Sequence, residues 1–159
     1  MRRKDREVTD TDEILSVMEK CHVCRLGFCD DGEVYIVPLN FGLERDGERT
    51  TLYFHGAKEG RKIDLIARSP RVGFEMDTGA EVYTKASEDV ACGYTARFQS
   101  VIGSGKVSMI HSADEKHHAL ELLMLHAAGK RDWQFDERML DAVAVFKLDV
   151  EKMSCKSHE

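Results

Sequence analysis

Between residues 23 and 56 the chain carries three apolar, β-branched or aromatic runs, VCRLGF, EVYIVPLNFG and TTLYFH, separated by CDDG and LERDGER. Each separator holds an Asp-Gly pair, the dipeptide that most readily adopts the positive φ angles of a tight hairpin. The three runs therefore read as an antiparallel meander. That reading governs how the rest of the chain can be arranged.

Before the meander, VTDTDEILSVMEK places Asp10 and Glu13 three apart, an Asp variant of the capping box, with Ile14, Val17 and Met18 on one helical face. After it, a helix opens near Gly60, carries Ile63, Ile66 and Ala67, and stops before Pro70; RVGFEM then resumes as a strand. Glu81 to Val90 reads as polar and irregular. TARFQSVIGSGKVSMI is a long strand with Gly103 and Gly105 on one face and Ser100, Ile102 and Ser104 on the other. The space left by the two glycines suits either a tight bend or a ligand. SADEKHHALELLMLHAA is a helix with Ser112 and Glu115 as capping box, Leu120, Leu123, Met124 and Ala127 as its apolar stripe, and Gly129 as its stop. DWQFDERML adds a helical turn, and AVAVFKLDV alternates like a last strand. Strands and helices do not alternate regularly, so the expected class is mainly β (α+β), an antiparallel barrel with peripheral helices. With no repeat and no low-complexity linker, residues 1–159 are expected to form one domain, long enough to bury about two thirds of its unfolded surface.

Charge narrows the function. The 23 basic and 29 acidic residues give a net −6, which argues against a general nucleic-acid binder. No run approaches the ~20 apolar residues of a membrane span, and the first residues lack the apolar core of a signal peptide, so a cytoplasmic protein is expected. Cys21, Cys24, Cys29, Cys92 and Cys155 are an odd set in a chain that does not need disulfide staples, and reduced thiols are expected. Cys21 and Cys24 form a CxxC without the second half of a zinc site; they read as small residues where a helix hands over to a strand.

The most unusual local feature is LYFHGAKEGRKID, residues 52–64. A helix beginning near Gly60 would carry Arg61 and Lys62 in its first turn, with Lys58 just before it, although the positive end of a helix dipole disfavours cations. An anion held by free backbone N–H groups, glycines and these cations would make the arrangement favourable, as at phosphate sites. A solvated basic loop is the other reading. The loop is neither a Walker A motif nor a GxGxxG.

The opening MRRKDREVTD, together with YIVPLNFG, YFHGAKEGRK and SVIGSGKV in that order, resembles the pyridoxamine 5'-phosphate oxidase-related flavoproteins, and within them the 5-nitroimidazole resistance proteins. The resemblance runs over most of the chain. It implies the FMN-binding split barrel, a homodimer with the flavin held between subunits, and a small-molecule substrate. It further implies FMN phosphate against Arg61 and Lys62, with Lys58 as a third cation. Val37, Pro38, Leu39 and Asn40 would run beside the ring and ribityl chain, Phe54, His55 and Gly56 would continue that wall, and Ser100 and Val101 would meet the cofactor from the long strand. Residues 37–40 are uncharged and the tail EKMSCKSHE has no arginine. These are departures from the oxidase proper, and they turn the expectation from pyridoxamine phosphate oxidation to reduction of a nitro group by electron pairs.

His55 is the candidate catalytic residue, since an imidazole with its ordinary pKa of about 6.5 suits proton donation to a nitro oxygen. Its alternative role is only to hydrogen-bond the cofactor or a neighbouring strand. The alternative functions within the fold are a flavin, haem or deazaflavin protein with another redox substrate or a storage role.

Overall fold

The structure, a computed structural model, describes residues 3–87 and 89–158; Met1 and Arg2 of the opening motif and Glu159 of the tail lie outside them. The elements are β1 (Glu7–Val8), α1 (Thr11–Lys20), β2 (Cys24–Asp30), β3 (Glu33–Leu39), β4 (Gly42–Asp46), β5 (Arg49–Gly56), α2 (Arg61–Arg68), β6 (Arg71–Thr84), β7 (Tyr94–Ile110), α3 (Ala113–Ala128), α4 (Glu137–Ala142) and β8 (Ala144–His158). The strands form one antiparallel sheet in the order β3-β2-β6-β7-β8-β5-β4, with β1 added to β8. The sheet is a split barrel that does not close, because β3 and β4 end the path without pairing each other.

The expected meander is therefore corrected. The two Asp-Gly turns do close hairpins, β2–β3 and β4–β5, but YIVPLNFG breaks between them and sends its halves to opposite edges of the sheet. The break has local causes. The Asn40 side chain donates to the carbonyl of His22 at 3.0 Å, and Phe41 is fully buried against His126, ring centroids 4.3 Å apart. Gly42 then passes so close to α3 that a Cβ there would sit 2.7 Å from the backbone nitrogen of Leu123, so only glycine lets β4 run beneath the helix.

Two other boundaries move. Glu81–Thr84 is not irregular: β6 continues through it, paired to β7 after a register shift between Thr78 and Glu81, and this shift hides the alternation from a reader of the sequence. The last strand runs through the tail to His158, where β7 gives it a partner.

Packing follows the alternation of the strands. On one sheet face Phe28, Phe54, Phe74, Met76, Val101, Phe146 and Leu148 form the main core with Ile14, Val17 and Met18 of α1. On the other face Tyr53, Ile110 and Val145 pack under Ala119, Leu120 and Leu123 of α3. The α3 stripe is thus shifted from the expected one: Ala119 replaces Ala127, which is exposed, and Met124 is half-buried. The caps form as expected, with Glu13 N–H donating to Asp10 Oδ1 at 2.9 Å, Glu115 N–H to Ser112 Oγ at 3.5 Å, and Gly129 in the left-handed region at φ 65°.

The space beside Gly103 and Gly105 is occupied by protein. A Cβ on Gly103 would lie 2.5 Å from the carbonyl oxygen of Lys152 and press into the Phe74 ring, and one on Gly105 would meet the carbonyl of Asp149. Both are packing glycines at the shifted β7–β8 register. All five cysteines are free thiols. Cys21 caps α1 and Cys24 begins β2, both fully buried, and burial pushes the Cys21 thiol up to about 11 and Cys24 further still. Among the described residues no helix is long and apolar enough to cross a membrane.

Candidate functional site

The site grows from the start of α2. Gly60 precedes the helix at φ 117°, ψ 168°, a backbone state open to glycine, and no side chain caps the helix. Its carbonyl accepts from Ile63 N–H at 2.9 Å and Asp64 N–H at 3.3 Å, which leaves the N–H groups of Arg61 and Lys62 as helix-start donors without an intrahelical partner. The positive end of the helix dipole therefore faces the loop together with three cations.

The cations are not equivalent. Lys58 is exposed in the loop. Lys62 folds across the end of β5, where a Cβ on Gly56 would lie 2.7 Å from its Cε and 3.1 Å from its Nζ; glycine here leaves the shelf on which the ammonium rests. Arg61 reaches the other way, to the β2–β3 hairpin. Its Nε donates to Asp30 Oδ2 at 3.0 Å, Glu33 lies 3.6 Å from Nη2, and its guanidinium carbon sits 4.8 Å from the centre of the Tyr35 ring. Arg68, two turns on, donates to the other oxygen of Asp30 at 3.1 Å. Asp30, Glu33 and Tyr35 were not singled out from the sequence, because they are remote from α2 along the chain and the Asp30-Asp31-Gly32 stretch reads as turn chemistry.

The strands flank this cradle. β3 is a sheet edge, so backbone groups along one side of it have no strand partner. Val37 and Leu39 turn their side chains to the main core and Pro38 turns outward; Pro38 has no N–H to donate, as suits a residue of an edge strand. Asn40 is exposed, with one amide hydrogen engaged by the His22 carbonyl. Phe54 is fully buried and stacks on Phe146 at 5.4 Å, which makes it a core residue of the wall. His55 is exposed and shares a sheet face with Tyr53 and Val145, the face covered by α3. Lys62 lies on the opposite face, so a ligand that touches both must pass over the strand end.

Two residues are not brought to the cradle by their own chain. Val101 is fully buried between Met76 and Cys155. Ser100 faces outward on β7, ten residues from Ile110, which pairs with Val145 and through it lies level with His55 at the end of β5; at ~3.3 Å per residue that is roughly 33 Å of strand. Beside Ser100 the outer face of the sheet exposes Val34 (74%), Ile36 (60%) and Ile102 (56%) around a shallow depression of about 380 Å³ floored by Gly27 and Gly73. Among the described residues no group of three or more His, Cys, Asp or Glu side chains is arranged to hold a metal.

The profile described as pyridoxamine 5'-phosphate oxidase matches residues 10–157. No match was found among curated protein sequences. Among solved structures, a candidate 5-nitroimidazole antibiotic resistance protein from Bacteroides thetaiotaomicron is 32% identical, with a TM-score of 0.80 over 94% of this chain and 85% of that one. The flavocytochrome Anf3 from Azotobacter vinelandii has a TM-score of 0.78 at 18% identity, over 100% of this chain and 72% of its own. An FAD- and haem-binding protein from Mycobacterium smegmatis has a TM-score of 0.75 at 17% identity, over 97% and 74%. At those two identities the likeness is one of fold.

Proposed function

The chain belongs to the pyridoxamine 5'-phosphate oxidase-related family, and from that premise we propose that it is an FMN-dependent oxidoreductase that reduces nitroaromatic, 5-nitroimidazole-like compounds as a homodimer. One observation carries the cofactor half of this reading: a helix start with no side-chain cap, bearing Arg61 and Lys62, with Lys62 laid across Gly56. A terminal phosphate monoester fits such a cradle, since it takes the free N–H groups and the cations together. This favours FMN over FAD, whose phosphates are internal.

In this reading Arg61, Lys62 and Lys58 hold the phosphate, the β3 edge from Val37 to Asn40 hydrogen-bonds the polar rim of the ring, and Phe54 backs the wall from the core. FMN, when bound, supplies the electron pairs. His55 donates the proton to the nitro oxygen from the exposed end of β5. Ser100 is too far from its own cradle, and in a homodimer it reaches the flavin of the partner. The exposed Val34, Ile36 and Ile102 supply an apolar face for that association, because contiguous apolar patches on a surface usually mark contacts.

The test begins with the visible spectrum of the purified protein and the mass in light scattering, expected near twice the 18.0 kDa chain. Flavin absorption with released FMN supports the reading, whereas a Soret band or a single deazaflavin band replaces it with one of the other redox cofactors. The activity half is tested by anaerobic mixing of the reduced, FMN-loaded protein with a 5-nitroimidazole. Reoxidation of flavin with two-electron reduction of the nitro group to the nitroso compound and water is expected in this single turnover. The amine, six electrons down, is expected only when excess dithionite re-reduces the flavin for two further turns. No reoxidation refutes nitroreduction and leaves the flavin site standing.

A further inference from the structure

Arg61 is held more firmly than a phosphate ligand on an open loop needs to be, and the group that holds it is an acid. Asp30 has only 17% of its side chain exposed. Its Oδ2 takes Nε of Arg61, with Nη2 of the same fork also 3.0 Å away, and its Oδ1 takes Arg68. Arg61 and Arg68 are seven apart and so share one face of α2, which packs both guanidinium groups against the end of β2. The Tyr35 ring lies beneath the plane of Arg61. The guanidinium has five N–H donors in a rigid fork, and these contacts occupy its Nε–Nη2 edge while leaving Nη1 for another acceptor.

A carboxylate this near an anion site should oppose binding by like-charge repulsion. Two features offset that. Asp30 lies between two cations, Arg61 and Arg68, which with Glu33 3.6 Å from Arg61 make a charge-balanced group, so that Lys58, Lys62 and the helix start still leave the loop positive. The bond also orders a side chain that would otherwise lose its rotamer freedom when the anion binds, so that ordering is already complete in the free protein.

We propose that Asp30 is a positioning residue of the anion site: it fixes the Arg61 guanidinium so that the Nη1 edge is presented to the phosphate. The assignment rests on the phosphate reading given above. Asp30 touches no ligand itself and acts only through Arg61.

The test compares FMN with riboflavin, which has the same ring and ribityl chain but no phosphate, so the ratio of their affinities isolates the phosphate contacts. Flavin-free full-length protein is titrated with each by fluorescence, with thermal melting as a check on folding. Asp30→Ala should weaken FMN about tenfold or more, as for a lost charge-assisted hydrogen bond, while riboflavin binding holds and the ratio falls. Asp30→Glu should recover part of the ratio, because a carboxylate again meets the fork. If Asp30 is only a neighbouring negative charge, its removal raises the FMN preference, and that outcome overturns the proposal. A parallel loss of both flavins overturns it too, since a purely structural role moves them together. Should Asp30→Ala fail to fold, Asp30→Asn serves in its place; it keeps an acceptor oxygen of the same shape and should lower the ratio by less. The phosphate reading has its own control: an unchanged ratio in Arg61→Ala/Lys62→Ala refutes that reading whatever the Asp30 variants do.

Discussion

Gly56→Ala should separate cofactor affinity from stability at a single atom. The added methyl would lie 2.7 Å from Lys62 Cε and 3.1 Å from Nζ, whereas ordinary contact begins near 3.4 Å. Cε must therefore retreat by roughly 0.7 Å and the ammonium it carries by about 0.3 to 0.7 Å, so a hydrogen bond of about 2.8 Å to phosphate stretches to around 3.1 to 3.5 Å, up to the limit of a real bond. A charge-assisted hydrogen bond is worth about 1.5 to 3 kcal/mol, so FMN should bind about 10- to 150-fold more weakly. Folding should not suffer. The clash is with the far end of a flexible side chain, Gly56 is not at a positive φ, and Gly→Ala at a compatible position stabilises by about 0.4 to 1 kcal/mol through the unfolded chain. The assay is fluorescence titration of flavin-free protein with FMN and with riboflavin, beside a melting curve. FMN affinity within twofold of wild type would refute the placement of the phosphate beside Lys62. Equal loss of riboflavin would move the effect from the phosphate to the ring.

Three further outcomes are expected. Gly103→Ala drives a methyl against the Phe74 ring and the Lys152 carbonyl, neither of which is a flexible chain end, so urea unfolding should report a loss of about 1 to 3 kcal/mol or more. His126 is lowered below its ordinary pKa chiefly by burial, so the folded state binds fewer protons than the unfolded one. Its contribution is then fully present above about pH 6.5 and is lost as pH falls from there through the depressed folded value, and the urea midpoint of His126→Gln should fall less than that of wild type between pH 7.5 and 5.5. His55→Ala should keep FMN, because Lys58, Arg61 and Lys62 are untouched, yet slow single-turnover reduction of a 5-nitroimidazole by roughly 10² to 10⁴. A rate per bound flavin equal to wild type from pH 5 to 8 removes His55 from the chemistry.

Much of the fold was legible because its signals are local. Asp-Gly closes a hairpin whatever surrounds it, and β2–β3 and β4–β5 form at both such pairs. Asp10, Ser112 and Gly129 cap helices through bonds to residues three or four away. Cations in the first turn of α2 conflict with the helix dipole, and a conflict of that kind is visible in a string of letters. The candidate cradle at residues 56–62 was found in this way.

The amino-acid order by itself determined the hairpins, the caps, the alternation that selects core from surface, and the cationic helix start, since each is decided within a few residues of chain. Tertiary structure alone decided where those pieces meet. The break at Asn40–Phe41 sends β3 and β4 to opposite edges because His22, His126 and the α3 backbone wait there. Glu81–Thr84 becomes strand because β7 offers it partners. Arg61 is claimed by Asp30 and Tyr35, and Lys62 is laid over Gly56, through contacts that exist only after the β2–β3 hairpin, β5 and α2 have packed together. Such contacts depend on side-chain shape and on hydrogen-bond partners distant in the chain, so no local propensity encodes them.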